Sequence, residues 1–173
     1  MARRLERVAG EEVRVEHYRD DGRLEGVVVL SGSLAPWAAH DRDELERLGE
    51  RVGSATAVLG ICAGMQLLAE FGGGRVEPSA EPERGFLPVD VHDDADLLSG
   101  VGARATVYQE HMDEIAELPE RFRVLASSPA CRVQALAVPE RRWWGTQFHP
   151  ERGGTRHPAG DRILRNFFTL ARA

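Results

Sequence analysis

The chain has 173 residues, the length of one ordinary domain, which is enough to bury a hydrophobic core without disulfide bonds. Its net charge of −6 argues against a nucleic-acid-binding surface, and 42% hydrophobic residues are typical of a globular domain. No apolar run has the length of a signal-peptide core or of a membrane span. We therefore expect a cytoplasmic protein that binds neither nucleic acid nor membrane.

The only two cysteines, Cys62 and Cys131, lie far apart in different local contexts, so they do not indicate the disulfide framework of a secreted domain. Neither lies at a spacing typical of metal ligands. We expect no metal and no cofactor, and we interpret Cys131 as a small residue of the core.

The first half of the chain alternates between strand and helix patterns. Apolar and polar residues alternate over Glu12–Tyr18, and continuous apolar runs typical of buried parallel strands cover Gly26–Leu30 and residues 55–60. Helical patterns cover Asp41–Val52, with acidic residues in its first turn, and Ala63–Glu70. The alternation predicts an α/β fold with a mostly parallel central sheet flanked by helices.

The second half of the chain changes character and predicts short strands followed by one helix. The predicted strands are Phe86–Val91, Ala105–Tyr108, Phe122–Ala126, Val133–Val138 and Trp143–Phe148, and the helix covers Ala159–Leu170. No internal repeat or low-complexity linker divides the chain, so we expect a single domain over residues 1–173.

The start of the chain departs from the usual order of a doubly wound domain, which opens with a buried apolar strand. Residues 2–10, ARRLERVAG, have a helix pattern instead. Either the sheet lacks its usual first strand, or that strand lies upstream of Met1.

Residues 60–64, GICAG, place Cys62 between two glycines where an apolar strand gives way to a helix. This is the spacing of a sharp turn that lifts a nucleophile above a sheet, where side chains on the flanking residues would clash. Amide groups at the start of the helix favour a thiolate and can stabilise an oxyanion. A buried structural cysteine is the alternative, since cysteine is among the most buried residue types.

Residues 145–151, GTQFHPE, contain the groups that a thiol nucleophile requires. A base must accept and return the thiol proton, and a third group must orient that base and stabilise its cation. His149 and Glu151 can fill these roles, because they lie two residues apart just after a strand, with Pro150 restricting the backbone between them. On its own, the segment also fits a surface histidine held by Glu151.

Taken together, GICAGMQ and GTQFHPE resemble the class I (triad) glutamine amidotransferases, which carry a Cys-His-Glu triad in this chain order. The chain is most similar to the amidotransferase domain of GMP synthetase, a resemblance that extends to LSGSL at 30–34, EFGGGRV at 70–76 and EHMDEI at 110–115. The resemblance implies a flavodoxin-like α/β fold and hydrolysis of L-glutamine to glutamate and ammonia. The ammonia would pass to a separate synthetase-type protein, since the remaining residues leave no room for an acceptor domain.

The resemblance also implies roles for individual residues. Cys62 would be the nucleophile that forms a γ-glutamyl thioester, His149 the general base and acid, and Glu151 its orienting partner. The other implied residues are Ala63, Gly32 and Ser33 at the oxyanion, and Gln66, Glu110, His111 and Asp113 at the substrate glutamine.

Three departures from the family pattern bear on activity. Ser33 and Leu34 stand where the family usually has glycine and proline, and a positive φ at Ser33 would strain the backbone. Glu110 replaces a serine, and its carboxylate would repel a substrate carboxylate unless it is paired. The missing first strand would lie beside the strand that carries Cys62 and would leave that strand exposed.

Two other functions fit the same residues. The triad also cleaves other γ-glutamyl bonds, so a γ-glutamyl hydrolase acting on a conjugate or peptide is one alternative. A catalytically weak regulatory or structural protein, with the triad kept but the oxyanion loop compromised, is the other. Gln147 and Phe148, before the histidine, favour glutamine by resemblance.

Overall fold

The computed structural model describes all residues from Met1 to Ala173, which form one mixed sheet with helices on both faces. The helices are α1 (Ala2–Ala9), α2 (Arg42–Val52), α3 (Ala63–Phe71) and α4 (Ala159–Arg172). The strands are β1 (Val27–Leu30), β2 (Ala57–Ile61), β3 (Arg75–Val91), β4 (Arg104–Glu117), β5 (Arg123–Ser127), β6 (Ala135–Val138) and β7 (Trp143–Thr146). None of the helices is both long and apolar enough to cross a bilayer.

The seven strands follow the order β1-β2-β7-β6-β5-β3-β4. Strands β1, β2 and β7 pair in parallel, whereas all pairs from β7 to β4 are antiparallel. The predicted α/β fold is therefore confirmed, but the sheet is mixed rather than mostly parallel. The reason lies in short connections. Strand β6 reaches β7 through the single turn Pro139–Arg141, and a connection of that length joins only antiparallel strands.

The strand that ends at the cysteine turn has a neighbour on each side. Gly60 of β2 lies opposite Leu30 of β1 and opposite Gly145 of β7, and every residue of β2 is buried. The expectation that a missing first strand would expose this strand is therefore wrong. Strand β1 lies at the edge of the sheet instead.

Alternation along β2 divides the core between the two faces of the sheet. Leu59 and Ile61 pack in one cluster with Phe167 of α4, on the face that α1 and α4 cover. Val58 packs in the other cluster with Met65 of α3, on the face that α2 and α3 cover. The carboxyl end of β2 is thus held from both faces, which fixes the position of the residue that follows it.

The strand predicted over Glu12–Tyr18 is absent, because this segment has no regular secondary structure. Arg51 of α2 donates hydrogen bonds to the backbone oxygens of Tyr18 and Gly22, at 3.1 and 2.6 Å. A side chain thus satisfies carbonyl groups that a sheet ladder would otherwise bind. The alternating pattern arises because Val13 packs against the core while its polar neighbours face solvent.

Strands β3 and β4 form a hairpin much longer than the strands predicted within it, Phe86–Val91 and Ala105–Tyr108. The first half of β3 is largely exposed and contains Pro78, so it lacks the apolar pattern by which a buried strand is predicted. The extra length has a functional consequence, because it carries the backbone of Glu110 in β4 to the cysteine turn.

Gly64, in the first turn of α3, tests how closely this helix packs on β1. A Cβ atom there would lie 2.6 Å from both the Cβ and the backbone oxygen of Leu30. Alanine normally favours a helix over glycine by about 1 kcal/mol, but the clash opposes this, so Gly64→Ala should destabilise the fold by about 1–3 kcal/mol in urea unfolding. The control is Gly22→Ala, where an added Cβ meets nothing, and it should change stability by less than about 0.5 kcal/mol. A stabilised Gly64→Ala variant would contradict the packing described.

Candidate active site

Cys62 stands between β2 and α3 with φ 54° and ψ −111°, a conformation that residues other than glycine rarely adopt. Backbone strain of this kind persists only where the surrounding structure enforces it, and it is typical of the turn that presents a nucleophile. The side chain is buried and the thiol is free of any disulfide bond. The turn therefore holds a single cysteine sulfur in a fixed place.

The glycines on either side of Cys62 allow the turn to pack closely. A Cβ atom at Gly60 would lie 2.5 Å from the backbone oxygen of Gly64, and one at Gly64 would clash with Leu30 of β1. The steric reason predicted for these glycines is thus confirmed. A larger residue at either position would displace the turn and the sulfur with it.

Parallel pairing of β2 with β7 brings the histidine segment to the cysteine. Ile61 lies opposite Thr146, and the N–H of Cys62 donates to the backbone oxygen of Thr146 at 2.7 Å. The chain then continues from β7 to His149, whose N–H donates to the backbone oxygen of Tyr108 in β4 at 2.8 Å. The histidine backbone is therefore anchored to the sheet and to the hairpin at once.

His149 and Glu151 form a shielded pair. Nδ1 of His149 lies 2.9 Å from Oε1 of Glu151, and the two side chains are only 12% and 10% exposed. Burial by itself lowers the pKa of His149, but the interactions with Cys62 and Glu151 outweigh it and raise the pKa from 6.5 to about 10. The attraction to Cys62 acts without a hydrogen bond of normal geometry, because the buried Nε2 of His149 has no such partner. This nitrogen is available to a reacting group.

Gly32, in the loop after β1, closes the site against the imidazole. A Cβ atom here would lie 2.8 Å from Cε1 of His149 and 3.3 Å from Cβ of Cys62. Ser33 does not have a positive φ, so the strain considered for this position does not arise, and its Oγ accepts a hydrogen bond from Ala35 N–H at 3.1 Å. The loop thus reaches the cysteine without a second glycine.

Ala63 begins α3 directly after the cysteine. The first N–H groups of a helix have no intrahelical acceptor, so this amide is available to an oxyanion formed at Cys62. The roles of Ala63, Gly32 and Ser33 as oxyanion donors stay predictions.

Gln66, one helical turn after Cys62, is buried and bound within the protein. Its Nε2 donates to the backbone oxygen of Asp113 at 2.9 Å and to Oε1 of Gln147 at 3.2 Å. Gln147 in turn lies with Nε2 3.7 Å from Sγ of Cys62. A chain of side-chain amides therefore links the hairpin to the sulfur.

His111 is buried beside this chain, with acceptors at both ring nitrogens. Nδ1 lies 3.2 Å from the backbone oxygen of Asp113, and Nε2 lies 3.1 Å from Oε2 of Glu83. The carboxylate of Glu83 also accepts from Ser128 and Gln134. Both nitrogens of His111 are thus engaged inside the protein, so the geometry favours support of the site by His111 over direct contact with substrate.

The carboxylates of Asp113 and Glu110 are also engaged. Asp113 Oδ2 accepts from the N–H of Trp37, at the end of the glycine loop, at 2.9 Å. Glu110 Oε2 accepts from Nη1 of Arg152 at 2.9 Å, and its Oε1 lies 3.7 Å from Nε of Arg84. The paired state of Glu110 removes the repulsion expected of a free carboxylate. Its backbone oxygen lies 3.8 Å from the Cys62 sulfur.

Three residues at the site were not predicted from the sequence, namely Gln147, Glu83 and Arg152. A signal existed for Gln147, because it precedes His149 by two residues in extended chain, a spacing that places both on one side. Glu83 lies in the exposed half of β3, where no strand was predicted, and nothing local marks it as a partner of His111. Arg152 follows the histidine segment directly and pairs across space with β4.

The arrangement supports nucleophilic chemistry at an acyl carbon. A thiolate at Cys62 can attack, and the imidazole of His149 can give a proton to the leaving group through its free Nε2. Glu151 holds the opposite nitrogen, which fixes the ring and stabilises its cation.

A family model described as "Glutamine amidotransferase class-I" matches residues 7–171. The chain belongs to the class I glutamine amidotransferase family. The match includes both motif segments and all seven strands of the sheet, so the resemblance predicted from the sequence is confirmed.

Relatives of this amidotransferase chain include component chains of the glutamine-hydrolysing GMP synthases. It is 40% identical over 113 residues to the GMP synthase amidotransferase-type component of Pyrococcus abyssi, which covers 65% of this chain and 59% of that one. It is 33% identical to the corresponding component of Ignicoccus hospitalis, over 98% of this chain and 90% of that one. A crystal structure of the corresponding component assigned in Thermoplasma acidophilum matches with a TM-score of 0.84 and 30% identity, over 98% of this chain and 85% of that one. The chain thus spans about three fifths of the Pyrococcus protein.

The raised pKa of His149 predicts an imidazolium at neutral pH in the free protein. In NMR titrations, the Cε1 proton of His149 should change shift near pH 10 rather than near 6.5. Cys62→Ser and Glu151→Gln each remove a partner that raises the pKa, so each should lower the midpoint by about one unit or more. Cys131→Ser is the control and should leave the midpoint in place. One midpoint shared by all four proteins would show that these partners do not set the charge of His149.

Proposed function

We propose that this chain hydrolyses L-glutamine to glutamate and ammonia, with Cys62, His149 and Glu151 as the catalytic residues. The observation that supports this is the strained cysteine beside an imidazole whose other nitrogen is held by a buried carboxylate. The GMP synthase relatives are described as glutamine-hydrolysing, which supports glutamine as the substrate. The proposal places one domain over residues 1–173 in the cytoplasm, where both free cysteines would stay reduced.

The proposed reaction has two stages. The Cys62 thiolate attacks the side-chain carbonyl carbon of glutamine, and the C–N bond breaks as Nε2 of His149 gives its proton to the departing ammonia. Water then attacks the γ-glutamyl thioester, His149 accepts its proton, and the C–S bond breaks to release glutamate and restore the thiolate. One glutamine and one water thus yield one glutamate and one ammonia.

The oxyanion of each tetrahedral intermediate would lie near the start of α3. The amide of Ala63 and the loop at Gly32 and Ser33 are the proposed donors. Gln66, Glu110, His111 and Asp113 are proposed to shape the glutamine site, with Glu110 neutralised by Arg152 and His111 acting from within the protein.

Wild-type protein should release glutamate from glutamine, and Cys62→Ser and His149→Ala should each reduce the rate by about 10³-fold or more, because each removes a group that makes or breaks bonds. Burial raises the pKa of the Cys131 thiol to about 12, so this thiol is unreactive at neutral pH and Cys131→Ser should retain the rate. Glutamate is measured with a coupled dehydrogenase assay. Undiminished release by Cys62→Ser would rule out the thioester mechanism, and release only from γ-glutamyl conjugates would rule out glutamine as the substrate.

The ammonia acceptor is proposed to be a separate synthetase-type protein. The relatives from Pyrococcus and Ignicoccus are named as single subunits of GMP synthase, which supports a division of the reaction between chains. Glutamate release should therefore rise severalfold when the proteins encoded by neighbouring genes are added one at a time with their substrates. Ammonia appearing in solution at the same rate with every candidate would argue against a coupled partner.

A further inference from the structure

We infer that Gln147 is a positioning residue for the nucleophile: its side-chain amide donates a hydrogen bond to the Cys62 sulfur and at the same time holds Gln66. The inference rests on the proposed role of Cys62. Gln147 is completely buried, with Nε2 3.7 Å from Sγ of Cys62 and Oε1 accepting from Gln66 at 3.2 Å. Its backbone N–H donates to Gln134 O at 2.8 Å, which fixes the position of the residue in the sheet.

The polarity of this amide chain is set at its far end. The backbone oxygen of Asp113 can only accept, so the Gln66 atom that faces it at 2.9 Å must be Nε2. The second hydrogen of that nitrogen points to Gln147, which must present its oxygen there. Gln147 is then left with its NH₂ group towards the sulfur. A backbone carbonyl in the hairpin thus determines that Cys62 faces a donor.

A donor at this place favours the thiolate over the thiol. The other polar neighbour of the sulfur, the backbone oxygen of Glu110 at 3.8 Å, can only accept and so favours the thiol. The charged groups that face the site are the His149 imidazole and Glu151, while the Glu110 carboxylate is paired with Arg152. Gln147 is therefore the one uncharged side chain that offers the sulfur a hydrogen bond.

The test is alkylation of Cys62 by iodoacetamide across pH, followed by mass spectrometry, in wild type and in Gln147→Met. Loss of the donor should slow alkylation at pH 7 by about 10-fold and move the half-maximal rate to higher pH. The matched control is Gln109→Met, which removes another fully buried amide, one that binds Gln134 and does not touch the sulfur. It should leave the alkylation profile unchanged.

Gln147→Glu separates the sulfur contact from the Gln66 contact. It keeps the shape and the acceptor for Gln66 but replaces the donor with a carboxylate oxygen, so alkylation should be slower still. This variant also carries the test if Gln147→Met does not fold, as judged by thermal unfolding. Rescue of the wild-type profile by Gln147→Glu, or an equal shift in Gln109→Met, would overturn the inference.

Alkylation needs no glutamine, so the two proposals fail separately. Glutamate release that survives Cys62→Ser would end the proposed function but would leave the alkylation profiles unchanged. Identical profiles for wild type and Gln147→Met would end the inference about Gln147 and leave the proposed function standing.

Discussion

The parallel pairing of β2 with β7 is the constraint on which the site depends. It joins two segments more than eighty residues apart, and its last hydrogen bond, from Cys62 N–H to the Thr146 oxygen at 2.7 Å, lies directly beside the cysteine turn. The histidine segment begins where this pairing ends. Since both strands are fully buried, a shift in their register would expose a whole row of apolar side chains, so the sheet itself holds the sulfur and the imidazole in place.

Close packing around the turn makes this placement rigid. Backbone strain at Cys62 is held by contacts that leave no room for a Cβ atom at Gly60, Gly64 or Gly32. These contacts come from three directions: β1, the start of α3 and the ring of His149. The stability of the rest of the domain maintains an unfavourable conformation at the residue proposed to react.

Polar groups near the sulfur are arranged so that none is left as an uncompensated charge. Glu110 is paired with Arg152, Glu151 with His149, and Glu83 with His111 and two neutral donors. Neutral amides occupy the space between these pairs, where they transmit hydrogen-bond direction at low desolvation cost. This division explains how a buried site tolerates several carboxylates within a short distance.

By itself, the sequence determined the α/β class, the family, the cysteine turn and the His149–Glu151 segment, because each depends on neighbours in the chain: apolar runs, glycine spacing and a two-residue step. Only the tertiary structure decided that the sheet is mixed, that β2 has two neighbours, and that Glu12–Tyr18 is not a strand. It also decided that Gln147 contacts the sulfur and that Glu83 contacts His111. These depend on strand order and on a long exposed hairpin, in which residues distant in the chain meet through packing that no local pattern records.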